Sequence, residues 1–173
     1  MRKLSLVLLM MLVVFPFNGY AKSNKITRQD FIGDWICQTN VEIDGDLMIT
    51  KTLDNIRADG TMSQVWEQTN FILPNKIVDI EFIVVKNRWD YNNGFFKNYD
   101  YQIQDYKIYD SNKIALNEEI RSARQAQWQE IYDDVYSVKV NFVNKDNFRF
   151  VYEAEELEGY DKGTTECKRI TKI

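Results

Sequence analysis

Two short segments near opposite ends of the chain constrain its fold more than any other feature: Phe31-Ile32-Gly33-Asp34-Trp35-Ile36-Cys37 and Thr165-Glu166-Cys167-Lys168-Arg169-Ile170. Opposed residues in an antiparallel ladder run in step, so the register that sets Cys37 opposite Cys167 also sets Trp35 opposite Arg169 on the same face. If the first and last strands are neighbours, that one register accommodates both a disulfide and a guanidinium over an indole. Neighbouring first and last strands are what turns a sheet into a barrel. Cys37 and Cys167 are therefore expected to pair, with Trp35 and Arg169 as structural closure; free or intermolecular thiols are the alternative.

Between these ends the punctuation is that of consecutive antiparallel strands. Asp44-Gly45-Asp46, Asp59-Gly60, Pro74-Asn75-Lys76, Asn92-Asn93-Gly94, Asp110-Ser111-Asn112 and Asn144-Lys145-Asp146-Asn147 separate segments rich in Val, Ile, Tyr, Phe, Trp and Thr. They bound strands near 61–72, 77–91, 95–109, 113–121, 135–143 and 148–155, in addition to those at the two ends. Thr27-Arg28-Gln29-Asp30 has the spacing of a capping box and starts a short N-terminal helix that Gly33 ends. Ala123, Ala126, Gln127, Gln129 and Glu130 favour one further short helix, near 122–134. The expected fold is all-β: an antiparallel, up-and-down, eight-stranded barrel.

Residues 1–21 read as an export signal, with Arg2 and Lys3 ahead of an apolar run from Leu4 to Phe17 and small residues at Gly19-Tyr20-Ala21. That run falls short of the ~20 residues a helix needs to cross a bilayer, and no second one follows, so no membrane span is expected after cleavage. Residues 22–173 then form a single domain, periplasmic or secreted, where a disulfide persists. Losing Arg2 and Lys3 takes the net charge from −4 to −6. An acidic domain lacks the basic footprint that holds phosphate backbones, so no nucleic-acid partner is expected.

Two features suggest an interior that does more than fill space. Along Thr61 to Phe71, one face carries Met62, Gln64, Trp66, Gln68 and Asn70 and the other Ser63, Val65, Glu67, Thr69 and Phe71, so neither face is purely apolar. A barrel whose inward face holds polar groups accounts for this better than a dry sandwich core. Aromatics also concentrate between Trp89 and Tyr109; strand parity puts Trp89 and Tyr91 on one face and Phe95, Tyr99 and Tyr101 on one face. Trp66, Trp89, Tyr91, Tyr99 and Tyr101 are the candidate ligand-binding residues. Cross-strand aromatic pairs that merely stabilise a hairpin are the competing explanation.

Phe31-x-Gly33-x-Trp35 and Thr165-x-Cys167-x-Arg169-Ile170 resemble the terminal signatures of the calycin superfamily, the lipocalins and fatty-acid-binding proteins. The resemblance implies that Trp35 lies at the closed end of a lipocalin-like barrel and that Arg169, from the last strand, packs across it. It covers only the two ends, and the middle Thr-Asp-Tyr motif of classical lipocalins is absent. Exported bacterial lipocalin-like domains of this size are similar, including small barrels that pair with the periplasmic part of a membrane-bound regulator and sense bile salts.

The chain has no histidine, which removes the usual general base, most zinc sites and every Ser-His or Cys-His nucleophile. No nucleophile elbow or phosphate-cradling glycine loop occurs. Asp44-Gly45-Asp46 and the acidic run Glu153 to Asp161 lack calcium-loop spacing and read as solvated turns. No catalytic residue, cofactor or metal is expected. The expected function is non-catalytic binding of a small amphipathic or hydrophobic ligand of fatty-acid or bile-salt type. The alternative is a protein-interaction module, such as a co-sensor, chaperone or inhibitor of a periplasmic or membrane-bound partner.

Overall fold

Turn chemistry sets the strand order. Gly60 (φ +85°) and the Asn93-Gly94 pair (φ 53° and 88°) supply the positive φ that tight connections demand, and the chain doubles back at each. The computed structural model describes residues 26–43, 46–72, 76–131, 135–151 and 164–170. The leader expected at 1–21, the turns at Asp44-Gly45 and Pro74-Asn75, and the acidic run lie outside the described residues. Eight antiparallel strands follow one another: β1 (Gly33–Ile43), β2 (Asp46–Ile56), β3 (Thr61–Ile72), β4 (Lys76–Asn92), β5 (Phe95–Asp110), β6 (Tyr136–Asn144), β7 (Asn147–Val151) and β8 (Thr164–Arg169). Each pairs with the next and β8 pairs with β1, so the sheet is one ring.

The closing seam has the register read from the sequence. Cys37 lies opposite Cys167 and Trp35 opposite Arg169, the cysteines are joined by a disulfide, and the Arg169 guanidinium sits 4.1 Å over the Trp35 ring. Trp35 is fully buried, its indole N–H donating to the Phe31 carbonyl at 2.7 Å. Arg169 donates to the carbonyls of Ile32 (2.7 Å) and Asp30 (2.6 Å). Gly33 makes room for this clasp: at φ +141°, a Cβ built there would meet Arg169 Nη1 at 2.5 Å.

One end of the ring, here the base, is filled with rings. Phe31 is central, with centroids of Tyr91, Phe142, Phe96 and Phe148 at 4.7, 5.0, 5.1 and 5.4 Å. A second cation over an indole, Arg28 on Trp89 at 4.3 Å, faces this end too. Each contact of this kind is worth about 0.5–1 kcal/mol where exposed.

The other end, the mouth, is built unevenly. β2 to β5 are 11 to 17 residues long and β6 to β8 only 5 to 9. The β5–β6 ladder runs only from Phe95 to Asn98. Beyond it, the helix α1 (Glu118–Ile131) packs against β5.

Three expectations need correction. What precedes β1 is a single 3₁₀ turn, Arg28–Phe31, and not an α-helix. The segment 113–121 is not a strand: Ala115 makes one isolated bridge with Tyr109, and α1 begins at Glu118. The cause is Asn117, whose side-chain oxygen accepts from the Ile120 amide at 3.0 Å and caps the helix. Phe95, Tyr99 and Tyr101 do not share one face. Register shifts in the β4–β5 ladder, with Asp100 at φ 55°, insert an extra residue, so Tyr101 turns inward while Tyr99 stays opposite the exposed Arg88. A second shift beyond Ile103 keeps Tyr106 and Ile108 inward as well.

Candidate functional site

The inward register positions of β1 to β5, read from base to mouth, change from aromatic to polar. Directly above the base, Asp54, Gln64 and Asn87 form a buried relay: Gln64 Nε2 donates to Asp54 Oδ1 at 3.1 Å, and Asn87 Nδ2 donates to Gln64 Oε1 at 2.7 Å. Higher up, Ile83, Val85, Tyr101, Tyr106 and Ile108 form an apolar girdle, with Trp66, Ile103, Leu116 and Trp128 packed against it. At the mouth a second network begins with the Thr50 hydroxyl, which donates to Gln68 at 3.3 Å, and Gln68 in turn donates to Asn70 at 3.1 Å. Asn70 then donates to Asp79 (2.6 Å) and Glu81 (3.3 Å).

Glu81, only 1% exposed, ends that network. It accepts from the Tyr106 hydroxyl at 2.7 Å and from the Trp128 indole N–H at 2.5 Å. Burial, with the hydrogen bond to Glu81 and its charge, pushes Tyr106 far above the usual phenol range, so the hydroxyl remains a donor. Arg124, from the same helix as Trp128, stands 3.6 Å from Asp79. No residue of α1 is itself buried. The helix therefore covers the mouth through a few side chains, Trp128 above all, which meets Trp66 edge to face at 6.5 Å.

The five candidate ligand residues fall in three places. Trp66 and Tyr101 belong to the girdle. Trp89 and Tyr91 are part of the base, Trp89 stacking on Phe96 at 5.5 Å and Tyr91 packing on Phe31. Tyr99 is half-buried on the outer face. Sequence reasoning missed Asp54, Asp79, Glu81, Asn87, Tyr106 and Trp128. The signal for three of these was parity: Trp89 fixes the inward face of β4, and counting back by twos gives Asn87, Val85, Ile83, Glu81 and Asp79.

Outside the ring, a shallow depression of about 650 Å³ crosses β1, β8 and β7, bordered by Ile36, Gln38, Arg149, Glu166 and Lys168. The Arg149–Glu166 pair beside it, at 2.8 Å, is more than half exposed on both sides and anchors little. Among the described residues no group of three His, Cys, Asp or Glu is placed to hold a metal ion. No helix among them is long and apolar enough to cross a membrane. No protein-family model matches the chain, and no curated protein matches it in sequence.

Burial raises the Asp54 carboxyl from 3.8 to about 6, against the pull of the Gln64 hydrogen bond. The unfolded chain thus releases this proton near pH 4 and the folded chain near pH 6. Between those values the folded state holds the extra proton, so stability falls as pH rises and changes no further above about 6. Asp54→Asn is expected to abolish that fall and to raise stability at pH 7 by roughly 2–3 kcal/mol at most. Urea unfolding of both proteins from pH 4 to 8 measures the difference; parallel curves would remove the assignment.

Proposed function

We propose that the chain is an exported lipocalin-like barrel that binds a small amphipathic ligand inside the ring, entered from the mouth, without catalysing a reaction. The supporting observation is the graded inner wall: an aromatic base, a buried polar relay, an apolar girdle and a polar mouth covered by a helix that buries none of its own residues. A ligand with one polar end and an apolar body matches that sequence of surfaces. In this reading α1 is the cover, and Trp66 and Tyr101 touch the ligand.

The four tryptophans make the test specific. Trp35 and Trp89 are buried in the base and Trp66 and Trp128 meet at the mouth, so a ligand entering there changes the emission of the second pair. Titration with fatty acids, bile salts, alcohols and amines of matched chain length is expected to give a saturable change with at least one class. That change should vanish in Trp66→Phe/Trp128→Phe while the calorimetric heat of binding persists. No saturable response to any class would end the ligand-binding reading.

One observation favours the second reading, an interaction module for a protein of the same compartment. Ile36, Leu53, Val65 and Val84 lie side by side in register across the outer faces of β1 to β4. The first three are about half exposed. Such a row is more than scattered surface apolarity.

A further inference from the structure

We infer that the ligand of the interior is a cationic amphiphile, an alkyl- or arylammonium whose head group seats on the polar layer above the base. The inference deepens the ligand-binding reading and rests on it. Its warrant is the direction of the amide relay. A carboxylate only accepts, so Asp54 fixes Gln64 with its N–H₂ toward Asp54 and its oxygen toward Asn87. Asn87 must then donate to Gln64, which turns its own oxygen away from the relay. That Oδ1 is buried and has no donor among the described residues. The Oδ1 of Asn98, which lies opposite Trp89 in register and so one step from Asn87, is also buried without a donor.

This layer therefore presents two amide oxygens without donors beside a carboxyl group whose one donor in the relay is Gln64. Leaving such acceptors unmet costs about 1–3 kcal/mol each. An ammonium carries three donors and a charge opposite to Asp54. The rest of the inner wall agrees: Asp79 and Glu81 stand at the mouth, 6% and 1% exposed. Arg169 is the single basic residue on an inward register position among the described residues, and it is committed at the base to Trp35 and backbone carbonyls. At this layer a fatty-acid or bile-salt carboxylate would face Asp54 and two unpaired amide oxygens; among the described residues the Thr52 hydroxyl is the one unpaired group beside them able to donate. At the mouth the Arg124 cation is already held by Asp79. Between layer and mouth, Val85, Ile83, Ile103 and Trp66 offer the apolar length for a chain or ring.

The test compares decylammonium, decanol and decanoate, each below its micelle concentration at pH 7.5, by calorimetry and mouth-tryptophan emission. Decylammonium is expected to bind at least tenfold tighter than decanol, with decanoate weakest. Asp54→Asn keeps the polarity of the relay and removes the charge; it is expected to cut the amine's advantage to threefold or less and leave decanol unchanged. Decanol or decanoate binding as tightly as the amine overturns the inference while leaving the ligand-binding reading standing. An amine preference that survives Asp54→Asn also overturns it, because the acidic outer surface would then be holding the cation. Polar atoms satisfied by buried water alone would show as no preference among the three. No saturable response to any of them ends both readings.

Discussion

Trp35→Ala is expected to lower the free energy of unfolding by about 4 kcal/mol, near the middle of the range for deleting a buried Trp. The residue is fully buried, with its ring 4.6 Å from Phe148 and 6.5 Å from Phe142. Truncation leaves a cavity walled by rings that are already engaged with Phe31 and cannot collapse far. It also strips the Phe31 carbonyl of its indole donor and Arg169 of the π face beneath it. Since domains of this size are stable by only about 5–15 kcal/mol, that loss is a large fraction of the total and should lower the melting temperature by about 10–15 °C. Trp35→Phe retains a ring and should cost about half as much. Urea unfolding at pH 7 reads both; a loss under about 1 kcal/mol in the alanine variant would mean the base is not packed as described.

Removing the disulfide should be nearly as costly. Cys37→Ala/Cys167→Ala frees a loop with a sequence separation of 130 residues, for which loop-closure entropy alone predicts on the order of 5 kcal/mol and measured losses usually reach 2–5. The seam has little else to fall back on. Among the described residues β8 is six residues long, and its ladders run from Thr164 to Arg169 on β1 and from Thr164 to Lys168 on β7. The expected signature is a lowered urea midpoint together with fast amide hydrogen exchange in β8. Reduction of the native protein should cost less than the double substitution, because a freed Cys37 thiol could donate to Asp54 Oδ2, which lies 3.5 Å from its sulfur. An unchanged midpoint in the alanine pair would show that strand pairing alone holds the ring.

The seam was legible because two pairings that are each weak agree on one register. Turns at Asp59-Gly60 and Asn93-Gly94 were legible for a similar reason, since few residues tolerate their backbone angles. The bulges in β5 carry no such code. Asp100, disfavoured in strands and tolerant of positive φ, is a single residue among strong β formers, Gln104 gives no signal, and the extra residue reversed the face assigned to Tyr101. Ile114, Ala115 and Leu116 resembled a strand, and the decisive signal, the Asn117 cap, is a single side chain read against strong β formers.

The site was half legible. Weighting aromatics picked out Trp66 and Tyr101, which lie in the inner girdle, together with Trp89 and Tyr91, which the base consumes as packing. Asp54, Asp79 and Glu81 were passed over because acidic residues are ordinarily counted as surface. Their inward placement follows from strand parity only once the faces are anchored by Trp35 and Trp89, and that anchoring needs the folded ring.

The covalent clasp between the first and last strands also decides how the molecule carries tension. A pull applied at Phe31 and Ile170 enters through β1 and β8, reaches Cys37 and Cys167 within a few residues, and passes directly from one sulfur to the other. The rest of the ring, with the polar relay and the helix at the mouth, lies in the bypassed loop and bears almost none of the load. For a protein tethered or dragged by its ends, the interior of the ring would keep its shape while the ends are stretched.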